Sequence, residues 1–174
     1  MKKLGVLWLV LLLAACGGQV KFGGDSDGRK AITAKHYTFN NIMISYNDKA
    51  KEKLSKYPGF KAAKLKQTVT GYFKKQGLLS EKSVYRLEFK VTDLFLRSAI
   101  KAFLLPISDP DKMDAIVIVK DASGKVVESF KVDSSYSLGG TTSTLAAVRT
   151  QLLFKNLSQL VSDVFTGKNR EAKY

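Results

Sequence analysis

Alternation of apolar and polar residues predicts β-strands in the second half of the chain. In the clearest strand the apolar positions are Tyr85, Leu87, Phe89 and Val91. One face of this strand should be buried and the other wetted, as in an antiparallel sheet with one covered face. Residues 115–120 and 125–135 predict a hairpin, whose turn places Gly124 where a left-handed conformation is needed. Residues 37–46 predict one more strand, with both faces partly covered.

Apolar residues spaced by three and four predict a first amphipathic helix. Asn47 is the expected N-cap, and residues 49–56 continue from it. Tyr57-Pro58-Gly59 should interrupt the helix because proline has no amide donor. The pattern resumes at Phe60 and should end at Gly77. The apolar stripe comprises Ala62, Leu65, Val69, Tyr72 and Phe73.

A second amphipathic helix closes the chain. Thr141 or Thr142 is its expected N-cap, and Gly167 its end. The expected apolar stripe is Leu145, Val148, Leu152, Leu153, Leu157, Leu160, Val161 and Val164. The polar residues expected to face away from the core are Arg149, Lys155, Asn156, Gln159 and Asp163.

The order of these elements is β-α-β-β-β-α. It predicts an α+β fold, a two-layer sandwich in which two helices cover one face of a small, mainly antiparallel sheet. We expect one domain over residues 32–167 and a charged tail over 168–174. Residues 17–30 are rich in glycine and small polar residues, so residues 16–31 are expected to form a flexible tether.

The N-terminus has the features of an export signal. Met1-Lys2-Lys3 precedes an apolar run over residues 4–13, which is shorter than the roughly 20 residues needed to span a bilayer. A basic start, a short apolar segment and small residues predict a signal peptide over residues 1–15. Cys16 is the only cysteine, so no disulfide can form within the chain.

The segment Leu13-Ala14-Ala15-Cys16-Gly17 resembles the lipobox of bacterial lipoproteins. The resemblance implies cleavage before Cys16 and a diacylglycerol on its sulfur, so that the membrane is a partner through this anchor. It also implies a periplasm-facing protein. Gly17 is not the aspartate that retains many lipoproteins at the inner membrane, which favours the outer membrane and leaves the inner membrane as the alternative.

The formal net charge of +14 indicates anionic partners. For an exported, tethered chain we expect anionic lipid, lipopolysaccharide or cell-wall polymer, and no nucleic acid. The alternative is a solvated lysine-rich helix face. The candidate contacts with an anionic surface are Lys49, Lys53, Lys56, Lys61, Lys64 and Lys75.

Residues 94–107 are crowded with apolar side chains and follow no clean period. One interpretation is a strand that continues from Val91 and buries them, with a bulge at Arg97-Ser98. The other is an exposed loop that docks on a partner or on lipid. The candidate docking residues are Phe95, Ile100, Phe103, Leu104 and Leu105.

Residues for catalysis and metal binding are sparse. His36 is the only histidine, expected at the surface, and a triad would have to use it. Asp109, Asp111 and Asp114 lack the spacing of a calcium loop and are expected in a polar turn. Gly139-Gly140 lacks a phosphate-loop lysine, so a helix-cap role is expected. We therefore predict no enzymatic activity, no metal site and no cofactor.

Two further patterns resemble small Gram-negative envelope lipoproteins. One runs from Asp121 and Gly124-Lys125-Val126-Val127 to Tyr136-Ser137-Leu138-Gly139-Gly140, and the other is Leu153-Phe154-Lys155-Asn156-Leu157. The lipopolysaccharide-assembly and YajG-like lipoproteins are loosely similar members. The resemblance implies a non-enzymatic module that binds an envelope protein or helps an assembly. The alternatives are a carrier or sensor of an anionic envelope ligand, and an enzyme with an unrecognised site.

Overall fold

A computed structural model describes residues 15–23, 28–57, 60–104, 110–137 and 145–168. Side chains are described for all of these except residues 15, 16, 103 and 104. The elements are β1 (Ala15–Phe22), α1 (Gly28–Ala34), β2 (Asn41–Tyr46), α2 (Asp48–Ser55), α3 (Ala62–Lys75), β3 (Arg86–Phe95), α4 (Ala99–Leu104), β4 (Asp111–Lys120), β5 (Val126–Ser137) and α5 (Ala146–Thr166).

The five strands form one open sheet in the order β1-β5-β4-β3-β2. β2 and β3 are parallel, and the other neighbours are antiparallel. α2 and α3 supply the long crossover that a parallel pair requires. The predicted hairpin is confirmed as β4 and β5, and Gly124 has a φ of 85° in its turn.

The predicted α+β sandwich is confirmed. α3 packs against β2 and α5, while α5 also packs against β1, β4 and β5. The core lies between these two helices and one sheet face, where every second residue is buried along β4 and, as far as Val91, along β3. Its largest fully buried apolar side chains are Phe39, Phe73, Phe89, Phe154, Leu65, Leu87, Leu94, Met113, Leu153, Leu157 and Val69.

The first predicted helix is present in two pieces. Asn47 caps α2, and its side chain accepts a hydrogen bond of 2.8 Å from the amide of Ala50. α3 buries Leu65, Val69 and Phe73 as predicted, and Gly77 follows its end with a φ of 70°. The exception in the stripe is Ala62, which is exposed.

The expectation of a flexible tether over residues 16–31 is wrong for most of its described part. Residues up to Phe22 pair with β5, and α1 buries Ile32. Gly18 shows why glycine occurs here, because a Cβ at this position would lie 2.3 Å from Leu160 Cδ1 and 2.9 Å from the carbonyl of Asp133. The glycine permits close packing of β1 beneath α5 and does not mark a mobile segment.

The start of α5 also differs from prediction. Leu145 occupies the N-cap position without a side-chain hydrogen bond, while Thr141 and Thr142 lie outside the described residues. Leu145 and Val148 were expected in the buried stripe, yet they are 57% and 38% exposed.

Five polar residues of α5 were expected to face away from the core. Arg149 and Asp163 are instead buried, at 1% and 5% exposure. The expected polar turn is also wrong for Asp111, which lies buried in β4, and for Asp114, which lies within the same strand. Asp111 contacts Arg149, which explains the burial of both side chains.

Candidate functional site

The start of β1 defines one end of the molecule. Cys16 pairs with Tyr136 near the end of β5, and Tyr136 pairs with Asp111 at the start of β4. The last residue of β3, Phe95, pairs with Lys112. Four strands therefore begin or end together here, and we call this region the Cys16 end.

A buried charge cluster closes the Cys16 end. The amide of Arg97 donates to Asp111 Oδ1 at 2.8 Å, and Arg97 Nη2 donates to Asp111 Oδ2 at 3.4 Å. Arg149 Nε lies 3.3 Å from Asp111 Oδ2, and its Nη2 donates to the carbonyl of Arg97 at 2.7 Å. All three residues are buried.

This cluster joins three elements. It connects the residues just after β3, the first residue of β4 and the first turn of α5. Burial lowers the pKa of Arg149 and nearby Arg97 lowers it further, while Asp111 opposes both effects. A carboxylate between two guanidiniums compensates charge that would be costly to bury alone.

The apolar segment over residues 94–107 contains both buried and exposed positions. β3 continues as far as Phe95, with Leu94 and Leu96 buried, which confirms the continued strand for this part. The register shift lies between Val91 and Asp93, so the expected bulge at Arg97-Ser98 is wrong. α4 follows.

The predicted docking residues fall within this segment. Phe95 is 37% exposed and Ile100 is 71% exposed. Phe103 and Leu104 belong to α4, but their side chains are outside the described part, as is the whole of Leu105. Leu145 and Val148, which the sequence analysis placed in the core, add two more exposed apolar side chains at the Cys16 end.

Ion pairs occupy half of the predicted lysine contacts. Lys49 and Lys53 bind the two oxygens of Asp93 at 2.7 and 2.5 Å, and Lys56 binds Glu52 at 2.9 Å. Burial alone would raise the pKa of Asp93, but hydrogen bonds from both lysines and from the Leu94 amide lower it from 3.8 to about 2. These lysines therefore offer less free charge than the sequence suggests.

The other three lysines keep their charge available. Lys61, Lys64 and Lys75 are exposed and form no ion pair with any described residue. Lys64 and Lys75 line a groove of about 530 Å³ between α3 and α5, and Lys155 completes it from the α5 side. The remaining lining residues are Gln67, Thr68, Gly71, Tyr72, Gln151 and Leu152, and no carboxylate is among them.

The sheet face opposite α3 and α5 carries an acidic row. Asp93, Asp114 and Asp133 are register neighbours on β3, β4 and β5. Burial, followed by the charges of Asp133 and Asp93, raises the pKa of Asp114. Lys21 binds Asp133 at 2.6 Å. Within the described ranges, no three histidine, cysteine or acidic residues are grouped so that they could hold a metal ion.

Two further observations concern the described residues only. His36 is exposed, as predicted, and has a positive φ of 46° after α1. No helix in this part of the chain combines the length and apolar character needed to cross a membrane.

Comparison with known proteins yields likenesses of fold only. No protein-family model and no curated protein sequence matches the chain. A minor lipoprotein from Acinetobacter baumannii has a TM-score of 0.46 and 10% identity, over 75% of this chain and 93% of that one.

A PelC dodecamer from Paraburkholderia phytofirmans has a TM-score of 0.43 and 16% identity, over 82% of this chain and 96% of that one. A variant of that PelC with a single substitution has a TM-score of 0.40 and 12% identity, over 82% and 98%. At these values the likenesses describe chain topology and carry no argument about function.

Proposed function

We propose that the chain is a bacterial envelope lipoprotein, held by lipid on Cys16, that acts as a non-enzymatic binding or assembly module. The lipobox-like segment ending at Cys16 carries the proposal. The fold supports it, because β1 places Cys16 at one end of the sheet, where it pairs with Tyr136. The non-enzymatic part rests on the chain having a single histidine, His36, which is exposed and would have to serve any histidine-based catalytic triad.

The anchor is tested by comparing the wild type with Cys16→Ser. We expect the wild type to incorporate radiolabelled palmitate and to float with membranes in a density gradient, and the variant to do neither. A separation of inner from outer membranes should find the wild type in the outer membrane. A variant that floats as well as the wild type would refute the anchor.

The protein partner is tested by crosslinking in intact cells. Photo-crosslinking residues at Ile100 and Val148 should capture the same membrane-embedded envelope protein, because both side chains lie at the Cys16 end, on the side of the anchored cysteine. The same residue at Val126, which is 51% exposed, is the control for general collisions. Equal capture from all three positions would argue against a defined binding surface.

A second candidate function is the binding of an anionic envelope ligand in the groove between α3 and α5. The observation that favours it is a lining with three lysines and no carboxylate. We expect the protein to bind lipopolysaccharide at low salt, and the affinity to fall as the Debye length shrinks from about 10 Å at 0.1 M to about 3 Å at 1 M.

The double substitution Lys64→Gln and Lys75→Gln should weaken this binding. Lys125→Gln and Lys131→Gln remove the same charge from exposed positions elsewhere and serve as the matched control. If the two double variants weaken binding equally, only the net charge matters and the groove is not the site.

A further inference from the structure

We propose that the Cys16 end of the domain inserts its exposed apolar side chains into the headgroup region of the bilayer that holds the anchor. This inference rests on the proposed lipidation of Cys16. It adds an orientation for the domain and a second, non-covalent contact with the membrane.

The first argument is that Cys16 lies within β1, so no flexible linker separates the anchor from the domain. Asn156 Nδ2 donates to the carbonyl of Gly17 at 2.8 Å and to that of Ser135 at 3.2 Å. The residue after the lipidated cysteine is therefore fixed to both α5 and β5. Acyl chains on Cys16 can reach the bilayer only if the Cys16 end lies at its surface.

The second argument is the position of Phe95 along the direction of the strands. Phe95 pairs with Lys112, Lys112 with Ser135 and Ser135 with Gly17, so all four residues lie in one row across the strands. Three strand spacings separate Phe95 from Gly17, which is about 14 Å. The exposed ring of Phe95 is thus at the depth of the residue next to the anchor.

The third argument is the gathering of exposed apolar side chains around the buried cluster. Ile100 follows Arg97 by three residues and therefore lies within about 10 Å of it along the chain. Leu145 and Val148 precede Arg149 in the chain by four residues and by one, and Arg149 Nη2 donates to the carbonyl of Arg97. Phe95, Ile100, Leu145 and Val148 therefore belong to one end, although three separate elements supply them.

The charges near this patch suit lipid headgroups. Lys101 follows Ile100, and Lys112 is the strand partner of Phe95, and both lysines are exposed. Long lysine side chains can place their charge among phosphates while their methylene groups lie in the apolar layer. A soluble protein partner is the weaker interpretation. Because the anchor has no flexible linker, there is no space for such a protein between this end and the bilayer.

The test uses the full lipidated protein in vesicles of phosphatidylethanolamine and phosphatidylglycerol. Because lipidation blocks Cys16, one introduced cysteine can carry a spin label alone. We would label Ile100→Cys and Leu145→Cys, with Val84→Cys and Val126→Cys as controls. The control side chains are 54% and 51% exposed, and both lie near the strand ends remote from Cys16.

We expect the labels at positions 100 and 145 to collide with oxygen more often than with a water-soluble nickel chelate, as in the apolar layer. The labels at 84 and 126 should show the reverse. Aqueous signals at all four positions, in protein that floats with the vesicles, would overturn the docking and leave the anchor intact. Apolar signals at both ends would also overturn it, because they would indicate aggregation.

The parent protein without an added cysteine separates the two proposals. It should take up no label and should float. Labelling of Cys16 together with loss of flotation would refute the anchor, and the docking with it.

Discussion

Removal of the carboxylate of Asp111 is the most direct test of how the Cys16 end is held together. In the native fold Asp111 contacts both Arg97 and Arg149, and all three side chains are buried. Asp111→Asn keeps the shape but leaves two buried guanidiniums without their shared counter-charge. Breaking a buried ion pair by removing one partner costs about 3–5 kcal/mol.

The charges of the cluster predict which of two variants loses more stability, in addition to the size of the loss. Arg149→Met removes one of the two guanidiniums and leaves Arg97 and Asp111 as an ion pair. This variant removes the hydrogen bond that Arg149 donates to the carbonyl of Arg97, and leaving that carbonyl unsatisfied costs about 1–3 kcal/mol of stability. We therefore expect Asp111→Asn to destabilise the domain more than Arg149→Met does.

Urea unfolding monitored by circular dichroism, in a Cys16→Ser background without acyl chains, measures both variants. For a chain of this size the loss from Asp111→Asn corresponds to a fall in Tm of about 6–20 °C. Asp48→Asn is the control, because its pair with Lys51 is exposed and contributes less than about 1 kcal/mol. The reasoning is refuted if Asp111→Asn is no more destabilising than the control, or if Arg149→Met costs more.

Four further predictions concern glycines and carboxylates. Gly71→Ala should stabilise the domain by about 0.4–1 kcal/mol in urea unfolding, because α3 has open space there. Gly167→Ala should cost about 1–2 kcal/mol, since φ is 70° and the new methyl would lie 2.7 Å from a side chain. The pKa of Asp93, lowered from 3.8 to about 2, adds stability that is lost as the pH falls between these values, so Asp93→Asn should flatten that part of the unfolding profile. The raised pKa of Asp114 means that its ionised form opposes folding, so Asp114→Asn should unfold at higher urea at pH 7 and match the wild type below pH 3.8.

Elements whose signals are local could be predicted from the sequence. The hairpin of β4 and β5 depends on a short alternation and one turn glycine, and both features lie within a few residues. The cap at Asn47 and the stripe from Leu65 to Phe73 are equally local. These patterns fix the fold class because each one determines which face of its element is buried.

Interactions between distant residues could not be predicted in this way. Arg149 falls on the polar side of the α5 pattern, and its contacts with Asp111 and with the carbonyl of Arg97 explain its burial. Gly18 lies in a segment with the composition of a linker. Its lack of a side chain instead allows Leu160 to pack close to β1. Both errors have one cause, since a period along the chain contains no information about a partner more than thirty residues away.

The position of β1 also sets an order of events during maturation. Both Ala15 and Cys16 pair with β5, so the peptide bond between them lies inside a hydrogen-bonded ladder once the sheet is complete. A protease needs that bond in an extended and unpaired form. If Cys16 carries the proposed lipid, cleavage and acylation there must precede the docking of β1, and the sheet then acquires its last strand only after the chain is attached to the membrane.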